Sequence, residues 1–309
     1  MQALLKALNR LLLRVMMKPF LGPPLPLGLQ RRWLRALAAG LPPPTGTERQ
    51  EMQLGGVAAV RVRWSGGGTS GASAAAAGRD AIVFAHGGAF MLGGGTSYLG
   101  FAARVARASG ADVYLVDYRL APEHPHPAPS DDVFAAYEAV LALGHSPTRT
   151  ALLGDSAGGA IAVSTALAVA EMGVPAPAAL VLISPWLDLS LSGASIEANR
   201  RRDAVLRREL LEAGGRAHAG TLRRSDPRVS PLFADLAGLP ATLLQVGSDE
   251  LLLDDSVRFA DRAWAAGVEV ELQRFEGWWH DFQGSAPYLR TSREALEDVA
   301  AFLRRQLAD

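Results

Sequence analysis

The run Gly154-Asp155-Ser156-Ala157-Gly158 sets a serine between glycines two residues away on either side. A Ser hydroxyl is a weak nucleophile until a neighbouring base takes its proton, so the pattern points to acyl transfer only in company. Alone it is a short motif that chance can supply. Its context adds weight: Ala151-Leu152-Leu153 reads as a strand just before it, and Ala157 to Met172 as a helix just after. Glycines at those positions let a strand turn tightly into a helix and expose Oγ at the corner. The competing reading is a glycine-rich helix start without chemistry.

A base must then be found among six histidines: His86, His124, His126, His145, His218 and His280. For a serine on a strand-to-helix turn the partners follow in the order Ser, acid, His, which leaves His218 and His280. His218 lies in a polar helical stretch and reads as a surface residue. His280 closes Glu276-Gly277-Trp278-Trp279-His280, a loop after the apolar run Val268 to Phe275, and is the expected general base. The acid should leave a strand between the two. Thr242 to Val246 is that strand; Asp249 is assigned as the acid, Glu250 is its nearest rival, and Asp254 and Asp255 read as helix-start charges.

A tetrahedral intermediate also needs donors aimed at its oxyanion. His86-Gly87-Gly88-Ala89-Phe90 follows the strand Ala81 to Ala85, where backbone amides can approach a ligand closely, and the N–H groups of Gly87, Gly88 and Ala157 are assigned to the hole. Phe90, Asp155 and Trp186, which flank these motifs, are expected to line the substrate pocket. His124-Pro125-His126 has no ligand spacing for a metal, and no metal site is expected.

These residues are positioned by short β-rich runs alternating with longer helical stretches. Val57 to Trp64, Ala81 to Ala85, Asp112 to Val116, Ala151 to Leu153, Ala179 to Ile183, Thr242 to Val246 and Val268 to Phe275 read as strands, and Gly66 to Ala77 as a small-residue loop. Strands separated by helices imply βαβ crossovers, hence an α/β class with a mostly parallel sheet and helices on both faces. The rhythm breaks twice. Residues 1–45 read as two helices, the second about Gln30 to Ala39, separated by Gly22-Pro23-Pro24-Leu25-Pro26 and closed by Pro42-Pro43-Pro44. Residues 189–226 are rich in Arg and Glu and helical without a strand. Both zones are assigned to a cap, and residues 46–188 with 227–309 to the core.

Lys6, Arg10, Arg14 and Lys18 recur every four residues and give the first helix a basic stripe opposite its leucines. They interrupt every apolar run short of a membrane span, and no secretory leader is read there, so stable insertion is not expected and a cytoplasmic location is. The helix is expected to pack its Leu face on the body as part of a lid, with a membrane-surface anchor as the alternative. The chain has 309 residues, an apolar fraction of 49% and balanced charge, 31 Lys and Arg against 31 Asp and Glu, so no net field favours nucleic acid. With no cysteine, disulfides, thiol catalysis and cysteine-bound metals are excluded. A last helix, about Ser292 to Leu307, reads as exposed and able to support a homodimer.

Together these motifs closely resemble the hormone-sensitive-lipase-like family of esterases, also called bacterial lipolytic family IV. Asp117-Tyr118-Arg119-Leu120-Ala121-Pro122-Glu123-His124-Pro125, Ser184-Pro185-Trp186-Leu187-Asp188 and Asp226-Pro227-Arg228-Val229-Ser230-Pro231-Leu232 carry the resemblance beyond the site, from about Gln50 onward. It implies the α/β-hydrolase fold with an eight-stranded, mostly parallel sheet and a helical cap. It also implies cofactor-free hydrolysis of small carboxylic esters with short to medium acyl chains. One departure is visible: many members carry three glycines after the motif histidine, whereas the third position here is Ala89. A lactonase, amidase or peptidase would use the same triad, and a non-catalytic receptor on this fold would be expected to lack a triad member.

Overall fold

Strands buried on both faces cannot alternate polar and apolar residues, and three five-residue runs of this chain are buried throughout. The computed structural model describes residues 1–40, 42–66 and 78–307. The elements run α1 Gln2–Met16, α2 Leu27–Ala39, β1 Thr47–Leu54, β2 Val57–Trp64, β3 Ala81–Ala85, α3 Gly95–Ser109, β4 Asp112–Val116, α4 Ala128–Ala142 and β5 Thr150–Asp155. They continue α5 Ala157–Glu171, β6 Ala179–Ile183, α6 Ser195–Ala198, α7 Arg208–Ala219, β7 Ala241–Gly247, α8 Leu253–Ala265, β8 Val270–Phe275 and α9 Arg290–Gln306. The strands form one eight-stranded sheet in the order β1-β2-β4-β3-β5-β6-β7-β8. From β4 to β8 all neighbours are parallel, while β2 pairs antiparallel with both β1 and β4.

Helices cover both faces. Val133, Ala136 and Val140 of α4, Ile161 and Val163 of α5 and Phe259 of α8 fill one core. Ala102 and Val105 of α3, with Val299, Phe302 and Leu303 of α9, fill the other. The apolar face of α9 is therefore spent on the sheet, and the exposed terminal helix expected from the sequence is not found. β1 was not legible: Thr-Glu-Arg-Gln-Glu-Met-Gln-Leu is polar, and only Leu54 in it is buried. Its pairing with β2 along the whole length makes it a strand. The loop expected over Gly66 to Ala77 lies, apart from Gly66, outside the described residues.

The insertion after β6 carries α6 and α7, and Leu206, Leu210 and Leu211 plug it into the main core. α1 reverses the expected packing. None of its residues is fully buried; its cations meet the protein together with Leu5 and Leu13, which pack on the cluster of Trp278, Trp279 and Phe282, while Leu4, Leu8, Leu11 and Leu12 stay exposed. Arg10 binds the Asp249 carboxylate and donates to the Gly277 carbonyl at 3.1 Å, and Lys6 lies 4.1 Å from the centre of the Trp278 ring. Arg14 donates to the carbonyls of Arg201 and Arg202 (2.9 and 3.1 Å), and Lys18 to those of Arg200 and Asp203 (3.1 and 2.6 Å). Hydrogen-bond acceptors at loop ends bind the cations, and the indole and phenyl rings beneath take Leu5 and Leu13, which is why the basic stripe faces inward.

Candidate active site

β5 ends at Asp155 and α5 begins at Ala157, so one residue, Ser156, makes the whole turn. It does so at φ 51°, ψ −121°, a conformation that an L-residue adopts only under restraint. The restraint is visible: Ser156 N–H donates to Ile183 O at 2.9 Å, and Trp186 N–H donates to Ser156 O at 2.8 Å. The flanking glycines are required by proximity. A Cβ on Gly158 would collide with the Ala85 carbonyl of β3, and one on Gly154 with the Gly158 carbonyl.

His280 Nε2 lies 2.9 Å from Ser156 Oγ, and both residues are buried. Its Nδ1 lies 2.7 Å from Glu250 Oε2. The structure thus puts Glu250, not Asp249, behind the histidine, which corrects the expected acid. β7 stops at Gly247, and the next turn sends adjacent side chains in opposite directions. Glu250 is fully buried; its Oε1 accepts from Ser184 Oγ at 2.9 Å and from Gly247 N–H at 2.6 Å, and Asn199 clamps its main-chain carbonyl at 2.9 Å. The Asp249 carboxylate points outward to Arg10 and, at 3.8 Å, Arg202.

A second carboxylate, unforeseen from the sequence, reaches the base: Asp281 Oδ2 lies 3.0 Å from His280 Nε2. Burial pulls the His280 pKa down, but the Asp281 and Glu250 carboxylates outweigh it and hold the imidazolium well above the ordinary histidine range. Burial pushes the Glu250 carboxyl up, against the hydrogen bond and charge of His280, which hold it down.

The loop after β3 reaches the serine at Gly87, where a Cβ would stand 3.0 Å from Ser156 Cβ and 2.8 Å from the Tyr98 hydroxyl. Gly87 N–H is already committed, donating to Asp155 Oδ1 at 2.8 Å, so its assignment as a free donor is corrected. Among the described residues the amides of Gly88, Ala89 and Ala157 have no acceptor within the protein. Ala89 sits at φ 53°, a left-handed conformation that aims its peptide independently of its neighbours.

The three expected pocket residues prove to be scaffold. Asp155 takes the Gly87 amide and, at 3.0 Å, the Tyr98 hydroxyl of α3, locking the β3 loop to the serine turn; burial pushes its carboxyl well above the usual range. Trp186 is fully buried and donates Nε1–H to Asp188 O at 3.0 Å. Phe90 is fully buried too, stacked on His218 with ring centres 3.9 Å apart. His218 is therefore no surface residue: burial holds its pKa down at about 3, so it serves as a neutral ring fastening α7 to the β3 loop. Gly214 of the same helix lets α7 lie directly on the Ala89 carbonyl. No group of three or more potential ligands that could hold a metal occurs among the described residues.

A serine on a strained strand-to-helix turn, served by a buried histidine at the carboxyl ends of a doubly wound sheet, places this protein among the serine hydrolases of the α/β-hydrolase fold. A family model described as alpha/beta hydrolase fold matches residues 82–284, and the chain belongs to that family. An esterase from Acinetobacter venetianus is 41% identical over 222 residues, 72% of this chain and 73% of the relative. An acetyl-hydrolase from Streptomyces hygroscopicus is 39% identical over 224 residues, covering 72% and 75% of the two chains. The crystal structure of an esterase from the bacterial hormone-sensitive lipase family superposes with a TM-score of 0.89 at 34% identity, over 96% of this chain and 97% of that one. The resemblance drawn from the motifs therefore holds, and the protein is an esterase-type hydrolase of this family.

Proposed function

We propose that this protein hydrolyses carboxylic esters of short to medium acyl chain through an acyl-enzyme on Ser156. The observation that carries the reading is the continuous relay from Ser156 Oγ through His280 to Glu250. Ser156 Oγ attacks the ester carbonyl carbon while its proton passes to His280 Nε2. The C=O electron pair becomes an oxyanion facing the amides of Gly88, Ala89 and Ala157. Collapse breaks the ester C–O bond, and His280 returns the proton to the leaving alkoxide. Water then attacks the acyl carbonyl as His280 takes its proton, the bond to Ser156 Oγ breaks with the proton returned to it, and the carboxylic acid leaves the regenerated serine. Glu250 holds the Nδ1–H tautomer that leaves Nε2 free to accept.

Acyl length follows from access. Ser156 is only 5% exposed, and α7 lies on the loop that supplies the oxyanion donors, so room for the acyl chain beside the nucleophile is expected to be limited. A panel of aryl esters from acetate to dodecanoate, with a peptide and a lactone included, tests this. We expect kcat/KM to peak at short to medium chains and to fall at least about tenfold by dodecanoate. A peak on the peptide or lactone would refute the reading.

The carboxylate of Asp281 sets the acid limb of the pH profile. Only neutral imidazole can accept the serine proton, and Asp281 favours the charged form, so activity should rise with pH through an elevated pKa. Removing the charge lowers that pKa. In Asp281→Asn the acid limb of kcat/KM should move to lower pH with the alkaline plateau retained; an unmoved limb would show that Asp281 does not bias the base.

A further inference from the structure

With Lys6, Arg10, Leu5 and Leu13 turned inward, α1 presents its other large aliphatic residues to solvent. Leu4, Leu8, Leu11, Leu12 and Val15 are between 53% and 66% exposed. Their i, i+4, i+7, i+8, i+11 spacing puts them on one side of the helix, a stripe about 17 Å long at 1.5 Å per residue. Burying such a row inside the fold was open to the sequence, and the fold uses the other side instead. An uninterrupted ridge of large aliphatic side chains is costly to leave in water and marks a surface that meets something apolar.

Charge identifies what it meets. Before Glu48 the chain has seven Lys and Arg and no Asp or Glu, although the protein as a whole is neutral. Arg14 ends on main-chain carbonyls, which leaves its charge in place, and its contacts bring the exposed Arg201 alongside α1 with no acidic partner among the described residues, whereas Lys18 has the Asp203 and Glu209 carboxylates near it. Arg200 is shared with Glu197 at 3.8 Å and Glu209 at 3.9 Å, and Arg202 with Asp249. A second copy meeting this ridge about a two-fold axis would set these cations against their own images. An anionic lipid surface satisfies both the exposed leucines and the exposed Arg14 and Arg201.

We infer that the outward face of α1 is a membrane-docking surface for anionic lipid, with the helix lying in the plane of the interface. Because Arg10 ties the inner side of α1 to Asp249 and Gly277, docking brings the acid and histidine loops close to the lipid. Delivery of membrane-partitioned esters to Ser156 would follow; that consequence rests on the carboxylester reading, whereas docking does not.

The test uses the full chain and vesicles of phosphatidylcholine with or without phosphatidylglycerol. The wild type should sediment with the phosphatidylglycerol vesicles, far less with phosphatidylcholine alone, and less again at about 0.5 M salt, where screening is strong. The variant Leu4→Ser/Leu8→Ser/Leu11→Ser/Leu12→Ser alters only exposed positions. It should lose at least about tenfold in vesicle partition while keeping its kcat/KM on a soluble aryl acetate. Because sedimentation is read without turnover, it is independent of whether the ester reading holds. Failure of the wild type to bind anionic vesicles overturns the inference, as does equal binding by the variant. A wild-type dimer seen by light scattering, indifferent to vesicles and dissociated by the same four substitutions, would instead make the ridge an interface between copies.

Discussion

Replacing Ser156 by alanine is expected to lower kcat on a soluble aryl ester by about 10⁴–10⁶-fold while the protein unfolds at nearly the same temperature. The effect is this large because the hydroxyl is the only group that forms the covalent bond, and the remaining machinery can only bind and polarise the ester. Residual turnover above water would come from the amides of Gly88, Ala89 and Ala157. Stability should hardly change, because the turn is restrained through the Ser156 backbone, bonded to Ile183 and Trp186, and not through Oγ. Alanine at φ 51° carries the same Cβ as serine and adds no new strain. An organophosphonate should label the wild type once, at Ser156, and leave the variant unlabelled. Near-normal hydrolysis by Ser156→Ala would remove the basis of the proposed mechanism.

The second large effect separates two neighbouring carboxylates. Glu250→Gln keeps shape and volume but replaces an acceptor of the His280 Nδ1 proton by a group that can present an N–H there, favouring the tautomer with its proton on Nε2. A loss in kcat of order 10³–10⁴-fold is expected. The buried partners of Glu250, Ser184 Oγ and Gly247 N–H, both donate to its Oε1, so the variant should also lose some stability. Asp249→Asn, one residue earlier, should reduce kcat/KM by no more than about tenfold. It weakens the part-exposed ion pairs to Arg10 and Arg202, and exposed pairs contribute little. Steady-state kinetics of the two variants side by side decide the matter: if Asp249→Asn were the inactive one, the relay through Glu250 would not be the catalytic path.

Much of this protein follows from local chemistry. β3, β4 and β6 are apolar runs too short for helices, and the helices between them force parallel crossovers, so the α/β class and sheet core are set by composition along the chain. The serine turn is local in the same sense. Its strand, its two glycines and its helix lie within consecutive residues, and a turn that tight accepts little else than glycine where β3 and α5 crowd it.

What needed the tertiary structure were the directions of side chains and the partners brought from afar. Asp249 and Glu250 are equivalent in sequence, both acidic and both just past β7; only the turn after Gly247, packed against Ser184 and Asn199 from elsewhere in the chain, turns Glu250 to His280. Gly87 was a plausible oxyanion donor until Asp155, 68 residues away, claimed its amide. Asp281 gave no signal because its contact with Nε2 depends on a left-handed turn at that residue. The two faces of α1 were legible as a pattern, since periodicity names which residues share a side. Which side turns inward is decided by the free energy of the surface beneath, and there carbonyls and the Asp249 carboxylate bind the cations while the aromatic cluster takes Leu5 and Leu13.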